Sequence, residues 1–348
     1  MTEPNKVCLE WAGKAAPRAL PSAALTPAGA GGTDLLLVEG DNLAALGALR
    51  EEAFGQVALA YLDPPFLTGR QHQRVTRRRD AGTGEVVRAL CPAFDDRWSG
   101  LDAYLCALRD RLQLVRDLLA PWGCLVLHVD PKTSHYAKVL CDEIFGLRCF
   151  ASEIIWRYRR WPSKTQNFQR VHDVLLRYVR DPEAAPRFHQ LYEPLAPSTL
   201  ATWGTKKQRA VVDASGRRRR SSSTSAPTPG APLGDVWDIG IVAPVARERT
   251  GYPTQKPEAL LERLIRGCTD PGDLVLDPYL GSGTSLAVCA RLGRRAIGID
   301  ENRDALEISR RRLEQLGHAP AERRVLPVSA PKRPGPDPER RSRPRRVA

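Results

Sequence analysis

The apolar positions of this 348-residue chain fall into two kinds of pattern. The first is the short uncharged run. Leu35-Leu36-Leu37-Val38, Val57-Ala58-Leu59-Ala60-Tyr61-Leu62, Cys124-Leu125-Val126-Leu127, Leu274-Val275-Leu276 and Ala296-Ile297-Gly298-Ile299 are each of strand length. The second run reads as a strand buried on both faces, as in a parallel sheet. The other pattern is the helical stripe. Leu43, Leu46 and Leu49 share a stripe within 42–52, and Leu101, Leu105, Leu108, Leu112, Val115 and Leu119 recur at three- and four-residue steps. Helices are also predicted over 135–144, over 257–268 behind a leading proline, from a glycine turn to residue 291, and from Asp300 to residue 316. Segments 152–158 and 171–178 alternate as strands. Strand, helix, strand repeats as a βαβ unit, so the expected fold class is α/β with a doubly wound, mostly parallel sheet.

Four stretches break the pattern. Residues 1–32 are rich in Ala, Pro and Gly and read as an N-terminal arm. Residues 67–97 interleave Arg70, Arg74, Arg77, Arg78, Arg79 and Arg88 with glycines. That segment is long and polar for a connection and is expected to be a mobile loop closing on phosphates, with a plain surface loop as the alternative. Residues 181–250 show no long helix or strand pattern and carry Arg217-Arg218-Arg219-Arg220 ahead of a Ser-rich run, so an insertion is placed there. Residues 319–348 read as a disordered basic tail. The remaining domain bounds are 33–180 and 251–318, two halves of one domain around the insertion.

Charge and cysteine content narrow the class. The formal net charge is +13, which favours an acidic partner such as nucleic acid, although an Arg-rich genome would give the same excess. None of the eight cysteines forms a C-x-x-C pair or stands near a histidine at zinc spacing. They read as small reduced residues, and no metal is expected. Neither a leader pattern nor an apolar run of membrane length is seen, so a soluble cytoplasmic protein is expected.

The chemistry begins where the second apolar run stops. Pro64 ends the strand ladder for want of an N–H, which leaves Asp63 at the carboxyl end of a central strand, where open α/β sheets hold ligands. A carboxylate, a carbonyl followed by proline, and an aromatic face make a receptor for a flat ring bearing an amino group. Downstream, Gly281 and Gly283 allow close approach of a ligand to the backbone at a helix start. Asp300 ends the next strand at the spacing of a ribose-binding acid. An NAD site is the competing reading of that turn, but Leu286 stands where the third glycine of G-x-G-x-x-G belongs. Aromatics Trp156, Tyr158, Trp161 and Phe168 among Arg157, Arg159, Arg160, Lys164 and Arg170 suit base stacking and phosphate contact, or a core. His128 reads as a core or strand-end polar residue.

Asp63-Pro64-Pro65-Phe66 resembles the catalytic motif of the amino-methyltransferases of DNA, and Asp277-Pro278-Tyr279-Leu280-Gly281-Ser282-Gly283 resembles their S-adenosylmethionine motif. Gly298 to Asn302, Thr254-Gln255-Lys256-Pro257 and Glu39-Gly40-Asp41-Asn42 resemble further cofactor segments, and Asn167-Phe168 with His172-Asp173 another catalytic-domain segment. With the catalytic motif first and the cofactor motif late, the order resembles the β group. The resemblance implies a Rossmann-like methyltransferase fold with circularly permuted motifs and an inserted target-recognition region. It implies Asp63, Pro64, Pro65 and Phe66 as catalytic. Asp41, Thr254, Lys256, Asp277, Tyr279, Gly281, Gly283, Thr284 and Asp300 would hold S-adenosylmethionine. Double-stranded DNA would be the substrate, met by Arg70, Arg74, Arg77 and Arg217 to Arg220. Asp at the head of the motif implies methylation at adenine N6. The N4 amine of cytosine, and an idle DNA-binding protein on the same fold, stay as alternatives. A cognate restriction enzyme and a homodimer are left open.

Overall fold

The computed structural model describes residues 7–11, 13–14, 16–17, 23–27, 32–79, 82, 86–162, 164, 166–205, 210–220 and 227–327. Strands β1 (Ala23–Pro27), β2 (Gly32–Glu39) and β3 (Val57–Leu62) come first, with helix α1 (Asn42–Ala53) between the last two. A hairpin of β4 (Gln71–Arg79) and β5 (Val86–Asp95) leads to α2 (Leu101–Leu118), β6 (Leu119–Val129), α3 (Ser134–Phe145), β7 (Phe150–Arg157) and β8 (His172–Val179). Short elements follow: β9 (Tyr192–Glu193), α4 (Pro197–Trp203), β10 (Ala210–Val212), β11 (Arg218–Arg220), β12 (Ala231–Pro232) and β13 (Val236–Asp238). The chain closes with α5 (Glu258–Cys268), β14 (Leu274–Asp277), α6 (Thr284–Leu292), β15 (Arg295–Asp300), α7 (Arg303–Gln315) and β16 (Pro320–Pro327).

Ten strands form one sheet in the order β1-β16-β2-β15-β14-β3-β6-β8-β7-β13, and all but β1 and β8 run the same way. Every residue of β3 is buried, as an uncharged central strand should be. The stripe of α2 buries Leu105, Leu108, Leu112, Val115 and Leu118, and α5 buries Leu260, Leu261, Leu264 and Ile265. From β14 the chain winds toward β15 and β2; from β3 it winds toward β6. The neighbours β14 and β3 therefore flank the point where the winding reverses, where such sheets bind their ligands.

The unpatterned stretches depart from expectation. Residues 71–79 and 86–95 pair as an antiparallel hairpin rather than forming a structureless loop, and its base is anchored: Asn302 Nδ2 donates to the Ala93 carbonyl at 2.5 Å. Cross-strand pairing satisfies its backbone, so the arginines do not prevent a strand. The basic tail starts later than residue 319, since β16 pairs with β2; residues 328–348 lie outside the described residues. Part of the N-terminal arm is strand β1, paired with β16. The stretch 181–250 holds short pieces, one of which, β13, joins the main sheet beside β7. Among the described residues no helix is long and apolar enough to cross a membrane, and the cysteines are free thiols.

Candidate active site

Asp63 leaves β3 at the carboxyl edge of the sheet, next to Asp277 at the end of β14. The turn that follows is held by one buried carboxylate. Asp96 accepts the backbone N–H groups of Phe66, Leu67 and Thr68 at 3.2, 2.8 and 2.8 Å, and the Thr68 hydroxyl at 2.5 Å. The indole N–H of Trp98 reaches it too, at 3.2 Å. These bonds hold Leu67 at φ 57°, a strained value for a side chain of that size, and so fix the direction of Phe66. Sequence reasoning missed Asp96. Its only sign in the chain is an acid ahead of a tryptophan and a helix start.

The Asp63 side chain is 17% exposed and forms an ion pair with Lys256 through Oδ2. Its other oxygen, Oδ1, is buried and has no hydrogen-bond partner. The imidazole of His128, on β6, stands behind it, with Nδ1 3.8 Å from Oδ1. Tyr61 and Asp173 hold that ring, at 2.9 Å from Nδ1 and 3.3 Å from Nε2. His128 is fully buried, as expected of a core residue, but it faces the reacting end of the sheet.

On the other side lies the glycine turn. Gly281 adopts φ 52° and its N–H donates to Asp300 Oδ2 at 2.8 Å. Burial pushes the Asp300 carboxyl up to about 6. Burial also raises Asp277 to about 7, with the nearby Asp63 and Asp300 charges adding to it, although Ser285 and the Tyr279 N–H donate to its carboxylate. Thr284 donates to the Lys256 carbonyl at 3.2 Å and so ties the turn to the start of α5. Thr254 is held at φ 58°. Asp41 caps α1 through the Ala44 N–H at 3.1 Å and pairs with Arg111 at 3.1 Å.

One cavity of about 310 Å³ joins the two sides. Asp63, Pro64, Pro65 and Phe66 line it, as do Asp41, Thr254, Lys256, Asp277, Tyr279, Gly281, Thr284 and Asp300. Gly283 does not. A Cβ there would come within 2.4 Å of Ser309 Oγ, so the packing of α7 requires the lack of a side chain. The hairpin base supplies part of the wall through His72, Ala93 and Phe94. The four acids Asp41, Asp63, Asp277 and Asp300 around one cavity favour a cationic occupant. Among the described residues no cluster of His, Cys, Asp or Glu could hold a metal ion.

The arginines divide. Arg70 and Arg217 are exposed. Arg74 instead faces Asp304 of α7 at 3.8 Å, which turns it toward the protein and away from an open surface. Arg218 to Arg220 form β11, paired with β10, not a flexible run; their side chains and that of Arg77 lie outside the described residues. The aromatics divide as well. Trp156 and Tyr158 are buried beside His128 and Asp173, whereas Trp161 and Phe168 are 93% and 100% exposed.

Comparison with known proteins decides the family. A family model described as DNA methylase matches residues 57–311, most of the chain. This chain belongs to the N6/N4 DNA methylase family. The methylase is 28% identical over 270 residues to the Type II methyltransferase M.HpaI of Haemophilus parainfluenzae, covering 78% of this chain and 72% of that one. It is 27% identical over 287 residues to the DNA adenine methyltransferase YhdJ of Escherichia coli (strain K12), covering 82% and 85%. Among solved structures, the PvuII DNA methyltransferase (cytosine-N4-specific) aligns with TM-score 0.52 at 15% identity over 80% of this chain and 86% of that one, a likeness of fold.

Proposed function

We propose that this DNA methylase transfers a methyl group from S-adenosylmethionine to the exocyclic N6 amine of an adenine turned out of duplex DNA. The observation that carries the reading is Asp63: its carboxylate stands in one cavity with the glycine turn and its acids, and there its Oδ2 is ion-paired with Lys256.

S-adenosylmethionine supplies an electrophilic methyl group on a sulfonium. The cavity fits such a cation. Asp277 suits the ammonium of its amino-acid end, Asp300 the ribose hydroxyls, and Asp41 lies toward the adenine, as the family resemblance implies. The target amine is a weak nucleophile because its lone pair is delocalised into the ring. Asp63 and the Pro64 carbonyl accept its two N–H hydrogens and favour a pyramidal nitrogen with its lone pair aimed at the methyl group, an effect of positioning and electrostatics. Phe66 stacks on the base. A base within a duplex must leave the stack to enter such a pocket. Exposed Arg70 and Arg217 meet phosphates.

The leading Asp of the motif favours adenine by resemblance; the N4-cytosine enzymes more often carry Ser there. Long-read sequencing of DNA from a methylation-free host expressing the chain tests the reading. N6-methyladenine in one sequence context supports it, N4-methylcytosine corrects the base, and unmodified DNA contradicts it.

A further inference from the structure

His128 is a buried group to which the proposed reaction gives no task. The rings of Phe66, Tyr61 and Trp156 surround it at centroid distances of 5.5, 6.2 and 5.6 Å. Its two nitrogens already have neighbours, Tyr61 at Nδ1 and Asp173 at Nε2. A core histidine would need nothing more. This one also faces Asp63 Oδ1, the oxygen without a hydrogen-bond partner, at 3.8 Å.

Counting protons gives that gap a meaning. Burial, reinforced by the charges of Asp63, Asp277 and Asp173, pushes the Tyr61 hydroxyl well above the ordinary phenol range, so it keeps its proton. Asp173 can only accept, so the Nε2 proton points to it, and Nδ1, 2.9 Å from the Tyr61 hydroxyl, is assigned as the acceptor of that bond. Nδ1 and Oδ1 are two acceptors facing each other, and 3.8 Å is the spacing of such a pair with no proton between them. The arrangement holds a vacancy for one proton.

The geometry points to His128 as the group that takes up, through Asp63, the proton released when the target amine is methylated. This rests on the reading of Asp63 as the acceptor of the amine. The amine nitrogen gains a bond to the methyl carbon as the carbon–sulfur bond breaks, and becomes cationic. Its N–H bond then breaks, the electron pair stays on nitrogen, and the proton passes to the Asp63 carboxylate. From Oδ1 it moves to Nδ1 as the Tyr61 hydroxyl turns aside. Asp63 is again a carboxylate, and the imidazolium lies between Asp63 and Asp173, with the Tyr158 hydroxyl bonded to Asp173 at 3.0 Å. Lys256, ion-paired with Asp63 before the base enters, opposes the new charge; Asp63 and Asp173, which both face the ring, outweigh it, and Asp277 adds to them from β14.

The test is single-turnover methylation of a target duplex across a pH series by wild type, His128→Asn and Asp173→Asn, with cofactor binding measured by calorimetry. In wild type, protonating the resting imidazole fills the vacancy in advance, so the rate falls on the acid side. His128→Asn is expected to lose rate by ~10²-fold with unchanged cofactor affinity and unchanged KM for DNA. Its acid limb should move to lower pH. Asp173→Asn should change the profile as well, and the double variant should be no worse than His128→Asn. A wild-type rate and profile in His128→Asn overturns the inference. So does a slower variant whose acid limb stays in place, because packing alone would do that. If His128→Asn does not fold, an unaltered profile in Asp173→Asn overturns it too. Wild type that transfers no methyl group to DNA removes the proposed function itself, and the inference with it.

Discussion

Lys256 is ion-paired with Asp63, and its ammonium stands 5.0 Å from the centroid of the Phe66 ring. A cation thus fills the space between carboxylate and ring that the target amine has to enter. Entry of the base displaces it. Lys256→Met should therefore raise the preference for a target duplex over the same duplex made abasic at the target, by roughly fivefold, which is the ~1 kcal/mol a partly exposed ion pair contributes. The ratio of the two dissociation constants measures this. A ratio equal to that of wild type would mean the ammonium does not compete with the base.

Asp277 ties cofactor binding to stability. Its folded pKa, about 7, lies above the unfolded carboxylate value. Stability from this group is full below pH ~4 and is lost as pH rises through about 7. Asp277→Asn removes that loss. The free variant should be no more stable than wild type near pH 4 and more stable at pH 8, by at most ~4 kcal/mol, reduced by any weakening of the Ser285 bond. Urea unfolding across this range without cofactor checks the sign. A difference that does not grow with pH would contradict the assigned burial. S-adenosylmethionine should raise the melting temperature of wild type and not of the variant.

Trp161 and Phe168 stand on the β7–β8 connection, which leaves the sheet at the same edge as Asp63, and Gln169 ties that connection to the Trp161 carbonyl at 2.9 Å. No acid occurs between Glu153 and Asp173. Such a loop suits the space a base vacates when it leaves the duplex. Trp161→Ala should slow methylation of a paired target by ~5- to 150-fold, since a lost stack costs ~1–3 kcal/mol. The loss should be smaller on a target base that is already mismatched, because less unpairing remains to be done. Equal losses on both duplexes would rule the role out.

The central strands were legible because a strand buried on both faces leaves an uninterrupted apolar run, and Asp63 was legible because prolines end that run. The hairpin of β4 and β5 was not: Val75 and Leu90 point outward, and among its described side chains Ala93 alone is buried, too little for alternation to report. Strand β16 was hidden among the arginines of Ala321 to Val325, and its pairing with β2 on one side and β1 on the other makes it a strand. Asp96 and His128 act through space on a turn and a side chain contributed by other segments, which no local pattern records. Gly283 is a different case. Glycine marks close approach without saying whether a ligand or, as here, Ser309 approaches.

On the function proposed above, Asp63 directs methyl transfer to an adenine amine. Mass spectrometry of nucleosides from target DNA incubated with S-adenosylmethionine and either wild type or Asp63→Ala tests it most directly, with calorimetric cofactor binding as the control for folding. Wild type should yield N6-methyladenine and Asp63→Ala at least ~10³-fold less, with cofactor affinity nearly unchanged. Near-equal N6-methyladenine from the two proteins, or none from wild type, would contradict it.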